Sequence, residues 1–328
     1  MSVSLEDQQY ALYINKLTNL ISFIVLFGLF PIIFFLNILP ITVFLRKKFR
    51  ENYMNLYNLV ISLVDNSIIF VNYFLFYQDT KNETLLVKSA FLCVSISYIT
   101  RVFSSFHSWL LVMVSLERAL HVIYPFSFKF MKKKRVILAI MLALFIANLV
   151  LYSPITYLRI NTTAELINGT NQTVVTKTCN STPQIDFLID TIRIMSRIVV
   201  PFILVLIFNS LLIYKLIKSK RKVKTKATTS MKREYNFSKI IAVTCFLFVL
   251  SLTPLMVVLL LMNIYKDEVS SSLRMNTIFN FAKGLALLMT SYIYLSQFLT
   301  NLKFSSLFRE ELLVFFREIK KIFSKQNF

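Results

Sequence analysis

Seven stretches of the chain are apolar enough, and long enough, to be read as helices crossing a bilayer. Such a crossing takes about 20 mostly apolar residues. In lipid the backbone must satisfy its own hydrogen bonds, which a helix does. Leu17–Leu45 carries no charge, Tyr53–Tyr77 carries only Asp65, and Ser89–Leu116 only Arg101. Val136–Leu158 is uncharged. The fifth stretch, about 187–214, keeps its charges in its first half. Ile240–Tyr265 has none, and Thr277–Leu302 has Lys283. The pattern predicts an all-α membrane protein: a seven-helix bundle over 18–302, an amino-terminal segment over 1–17 and a tail over 303–328.

Two patterns outside the spans predict further elements. In the tail, Phe308, Leu312, Phe315, Ile319 and Phe323 recur at threes and fours, with Arg317, Lys320 and Lys321 between them. That reads as an amphipathic helix lying on the membrane surface. Between spans four and five, Asn168-Gly169 is a hairpin-turn dipeptide and Thr173–Thr178 is rich in Thr and Val. A short β-hairpin over the mouth of the bundle is expected there.

Charge then sets the orientation. The formal net charge is +21, which by itself suggests nucleic acid. Most of it lies in Arg46–Arg50, Lys129–Arg135, Lys215–Lys239 and Lys303–Lys325, all in alternate loops or the tail. Basic loops stay cytoplasmic, so the amino terminus is expected outside the cell, the carboxyl terminus inside, and no nucleic-acid partner is expected. The plasma membrane is the expected location. The first 17 residues show no basic region ahead of an apolar core, so no cleavable signal peptide is expected. Five Asn-x-Ser/Thr sequons, at Asn82, Asn161, Asn168, Asn171 and Asn180, fall on the predicted outer side and are candidate glycosylation sites. A hydrophobic fraction of 56% with 16% charged residues is outside the range of ordinary soluble domains. Two histidines and three cysteines without metal-ligand spacing point to no enzyme, no metal and no cofactor. Three glycines and no internal repeat argue against a transporter.

Several spacings resemble those of the rhodopsin-like (class A) G protein-coupled receptors. Asn37 and Asp65 stand 28 residues apart, and Cys93 and Arg118 stand 25 apart. Glu117-Arg118-Ala119 looks like the family's acidic-Arg-Tyr motif with Ala in the third place. Pro125, Pro201, Phe248 and Pro254 fall at the family's landmark positions. The departures are as specific. Span four has no Trp, and Leu252 stands where span six usually has one. Gln297-Phe298-Leu299-Thr300-Asn301 replaces Asn-Pro-x-x-Tyr. A divergent peptide receptor fits this pattern, which leaves open whether the altered motifs change basal activity.

The resemblance implies a receptor that binds an extracellular ligand, a peptide in the first reading, and activates a heterotrimeric G protein. A small-lipid or chemosensory ligand is the alternative. It implies a Cys93–Cys179 disulfide pinning the hairpin to span three, and a Glu117–Arg118 pair that restrains activation, with Pro125, Phe248 and Pro254 in the same machinery. It implies a polar network or sodium site at Asn37, Asp65, His107 and Gln297, where His107 competes with the ion for Asp65. Thr100 stands where amine receptors carry an acid, so an amine ligand is not expected. Arg101, Arg193, Arg197 and Lys283 instead surround the expected pocket and favour an anionic group. Arg193 alternatively pairs with Asp190, three residues before it.

Overall fold

The computed structural model describes residues 5–50, 54–79, 88–124, 129–166, 173–223 and 229–326. Among them, seven helices are long and apolar enough to cross a membrane, and they form one bundle. Span one is Leu5–Phe44, span two Met54–Asp79, span three Ala90–Ile123 and span four Lys134–Leu151. Span five covers 183–223, span six Thr229–Ile264 and span seven Leu273–Phe304. A tail helix, Ser306–Gln326, follows. Span three is the most enclosed. Phe35, Val150 and Phe246 are among the large apolar side chains left on the outside, where the surrounding medium is hydrocarbon.

The helices overrun the apolar stretches that announce them. Span one starts at Leu5 rather than Leu17, so most of the expected amino-terminal segment is helix. Its 40 residues measure about 60 Å at 1.5 Å each, against a hydrocarbon core of about 30 Å. The added turns dock on span seven. Ala11 is buried, and the Arg274 guanidinium lies 4.8 Å from the Tyr10 ring centre. Span six begins at Thr229, not Ile240, because Lys, Arg and Glu are good helix formers once outside lipid. Span four stops earlier than expected. Pro154 cannot continue an α-helix, and a 3-10 turn, Ser153–Tyr157, takes over.

Spans one and five each contain one π turn, Val25–Leu29 and Met195–Val199. A proline follows each by two residues, Pro31 and Pro201. A proline ring clashes with the carbonyl four residues back, here Phe27 and Arg197, the centre of each π turn. The wider turn absorbs the clash: Phe30 N–H donates to Val25 O, and Val200 N–H to Met195 O.

Strands β1 (Arg159–Leu166) and β2 (Thr173–Asn180) form the expected antiparallel hairpin, with Arg159 opposite Asn180 and Leu166 opposite Thr173. Its predicted turn, Asn168-Gly169, lies outside the described residues. Cys93 and Cys179 are bonded, with Cα atoms 5.9 Å apart. Around them Val102, Tyr152, Ile155, Leu158 and Ile189 form a separate apolar cluster at the hairpin end. At the tail end, Val43, Phe44, Phe49, Phe298, Phe308 and Leu312 join the tail helix to spans one and seven. Ser305 caps the tail helix by accepting from Phe308 N–H at 3.2 Å. Arg309 donates to the Leu302 and Lys303 carbonyls, both at 2.9 Å, closing the end of span seven.

Candidate functional site

Three polar assemblies sit at three depths of an otherwise apolar bundle, and the backbone features above decide where each points. Nearest the hairpin is a cavity of about 150 Å³ bounded by spans one, two, three, five and seven. Ile21, Val25, Leu285 and Leu288 make an apolar wall, while Thr100, Ser104, Ser291, Tyr294 and Arg197 make a polar one. Both π turns contribute, span one through Val25 and span five through Arg197. The span-five turn is anchored by Ser196, whose hydroxyl lies 3.1 Å from Ser105 Oγ and 3.1 Å from Tyr152 OH. Those contacts hold the neighbouring Arg197 against the cavity. Thr100 spends its hydroxyl on the Ile96 carbonyl at 2.7 Å.

The other expected pocket cations are gathered differently. Arg193 Nη2 lies 3.1 Å from Asp190 Oδ1, so the internal pairing holds for Arg193. Arg101 and Lys283 are within electrostatic range of both members of that pair. Asp186 instead accepts from the Ser181 N–H at 3.1 and 3.2 Å, tying the hairpin exit to span five. The described cavity lining thus includes Thr100 and Arg197, while Arg101, Arg193 and Lys283 belong to a charge cluster around Asp190.

At mid-depth lie Asp65 and His107, 0% and 5% exposed. His107 Nε2 is 3.1 Å from Asp65 Oδ1, without the alignment of a full hydrogen bond. Phe248 and Tyr294 flank the imidazole, ring centres 6.2 and 6.0 Å away. Gln297 faces the backbone of span two: it donates to Asn58 O at 2.8 Å and accepts from Ser62 Oγ at 2.9 Å. Asn37 is fully buried in span one and has no hydrogen bond to Asp65 among the described residues.

At the tail end, Glu117 and Arg118 are both buried, Nη2 to Oε1 being 3.8 Å. His121 stands one turn on, Nδ1 3.9 Å from Glu117 Oε1 and 3.0 Å from the Glu117 carbonyl. Its spacing of four from Glu117 was the available signal. Just above, Asn209 donates to Ser115 Oγ at 3.1 Å, and Ser115 Oγ lies 3.1 Å from Cys245 Sγ. This ties spans three, five and six together. Cys245 is thus more than a small buried side chain: its sulfur is a polar partner. Phe248 is buried beside this group and Pro254 lies inside span six. Pro125 falls outside the described residues, as do Asn82, Asn168 and Asn171. Asn161 is exposed on β1, and Asn180 closes β2.

A family model described as 7 transmembrane receptor (rhodopsin family) matches residues 36–292. The chain belongs to the rhodopsin family of seven-transmembrane receptors. Receptors of this family are signalling proteins and not enzymes. No curated protein matches the chain. The matched residues hold the tail-end assembly whole, and the other two apart from the cavity residues of span one and from Tyr294 and Gln297 of span seven.

At the base, the receptor carries an ion network that charge counting alone does not predict. Glu311 of the tail helix is 5% exposed. It lies 2.7 Å from Lys48 Nζ and 3.0 Å from Arg46 Nη1. Arg46 also pairs with Glu318. Hydrogen bonds from Lys48 and Arg46 hold the Glu311 carboxyl below its ordinary range.

Proposed function

We propose that this receptor sits in the plasma membrane with its hairpin end outside, binds an extracellular peptide and activates a heterotrimeric G protein at its tail end. The basic stretches in alternate loops support this orientation, the described Arg46–Lys48 and Lys303 lying at the tail end. The observation that carries the ligand reading is the cavity: Arg197 brings a cation to it, and no acid is among its lining residues. A peptide offers what such a wall selects, a carboxylate for the guanidinium and apolar side chains for Ile21, Val25 and Leu288. On the tail side, loss of the Glu117–Arg118 contact frees Arg118 for the G protein. The five outer sequons are carried as glycosylation sites in this reading.

The decisive experiment screens a peptide library on transfected cells, followed by nucleotide exchange on purified G protein with each hit. Exchange that depends on receptor and peptide supports the assignment. Exchange driven by lipid carboxylates and by no peptide replaces the peptide with a lipid. Arg197→Ala then tests the cavity: unchanged agonist potency removes Arg197 from the site.

A further inference from the structure

Class A resemblance implies sodium at the buried acid of span two, and the groups around Asp65 do not fit that ion. Sodium is a hard cation that asks for several oxygen donors, whereas imidazole nitrogen suits softer transition metals. Asp65 presents Oδ1 to a nitrogen, His107 Nε2, at 3.1 Å. On span seven, Gln297 Oε1 is taken by the Ser62 hydroxyl at 2.9 Å. The Gln297 amide nitrogen is held by the Asn58 carbonyl. The cavity beside Asp65 and His107 measures about 20 Å³, room for about one water and not for an ion with its own shell.

We propose that the imidazole of His107 fills the place at Asp65 that a sodium ion would take, so that the receptor carries its own counter-group there and binds no sodium. The ring is wedged for that role. Phe248 and Tyr294 flank it from spans six and seven, and its own residue is 5% exposed. Spans two and three are therefore coupled by a side chain that cannot leave, where an ion could exchange with the medium. Truncating the ring to a hydroxyl both opens volume and adds an oxygen, which builds the site that the wild-type side chain closes.

The test needs neither ligand nor G protein, so it stands or falls apart from the functional reading above. Full-length receptor, purified in detergent, is melted in sodium chloride and in choline chloride at equal ionic strength. Wild type, Asp65→Asn, His107→Ser and His107→Ala are compared. The expected result is an equal Tm for wild type in the two salts. In His107→Ser, sodium at several times its Kd raises Tm by about 2–4 °C, and the rise disappears in Asp65→Asn/His107→Ser. His107→Ala serves if the serine variant does not fold. A wild-type Tm that rises with sodium and loses the rise in Asp65→Asn overturns the proposal. So does a failure of every folded His107 variant to gain sodium dependence.

Discussion

At the scale of single residues, what decides the chemistry is which polar groups are already spent. Arg193 is engaged by Asp190, and Thr100 by its own helix, while Arg197 is aimed at the cavity by the Ser196 anchor beside it. Charge-assisted hydrogen bonds contribute about 1.5–3 kcal/mol, so Arg197→Ala should lower agonist potency by tenfold or more, read as a rightward shift in nucleotide exchange. Arg193→Ala should shift it far less. Ser115→Ala removes one partner from both Asn209 and Cys245 in a buried setting. Leaving such groups unsatisfied costs about 1–3 kcal/mol, and the expected readout is a lower Tm together with raised ligand-free exchange. Arg197 could be picked out in the sequence because a cation within an apolar stretch is costly and so stands out. Ser115, Asn209 and Cys245 could not, because each alone is ordinary in a membrane helix and only their meeting across three spans gives them meaning.

Among elements, the spans were legible and their ends were not. Hydropathy reports the part of a helix that touches lipid. It is silent about Leu5 to Lys16 and about Thr229 to Lys239, which stay helical after leaving the lipid. The π turns were equally hidden, although Pro31 and Pro201 mark them in retrospect. Pro201→Ala removes the clash with the Arg197 carbonyl and allows an ordinary α turn. The residues before it then rotate relative to those after it, carrying Arg197 off the cavity wall. Agonist potency should fall about as far as in Arg197→Ala while the protein's Tm holds or rises. Circular dichroism and the same exchange assay check both halves of that expectation.

The tail helix allows a pH experiment. The Glu311 carboxyl is held below its ordinary value, 4.5, by Lys48 and Arg46. A depressed carboxyl stabilises the folded state fully above its unfolded value and loses that contribution as the pH falls through the folded one. Wild type should thus out-melt Glu311→Gln at neutral pH. The gap should close at pH values below about 4.5, the direction that linkage requires.

For the whole molecule, odd parity is the strongest statement. Seven spans place the two chain ends on opposite faces, so epitope tags at the ends should differ in accessibility on intact cells, the amino-terminal one being stained without permeabilisation. Matching accessibility would remove both the span count and the orientation. The family itself was readable from spacings such as Cys93 to Arg118, since those distances are fixed by helix length. The altered motifs were readable only as departures. The meeting of His107 with Asp65 was readable from the same spacings, whereas the Ser–Asn–Cys tie across three spans needed three dimensions to see.

That tie has a practical corollary. Two of the three cysteines are already joined, so thiol reagents have a single address in the folded chain. Cys245 is 1% exposed, wedged where spans three, five and six meet. A small bilayer-permeable maleimide should react with it slowly at rest and faster whenever span six swings away from span three. The unmodified receptor thus carries a built-in gauge of its own opening, to be read as an alkylation rate by mass spectrometry.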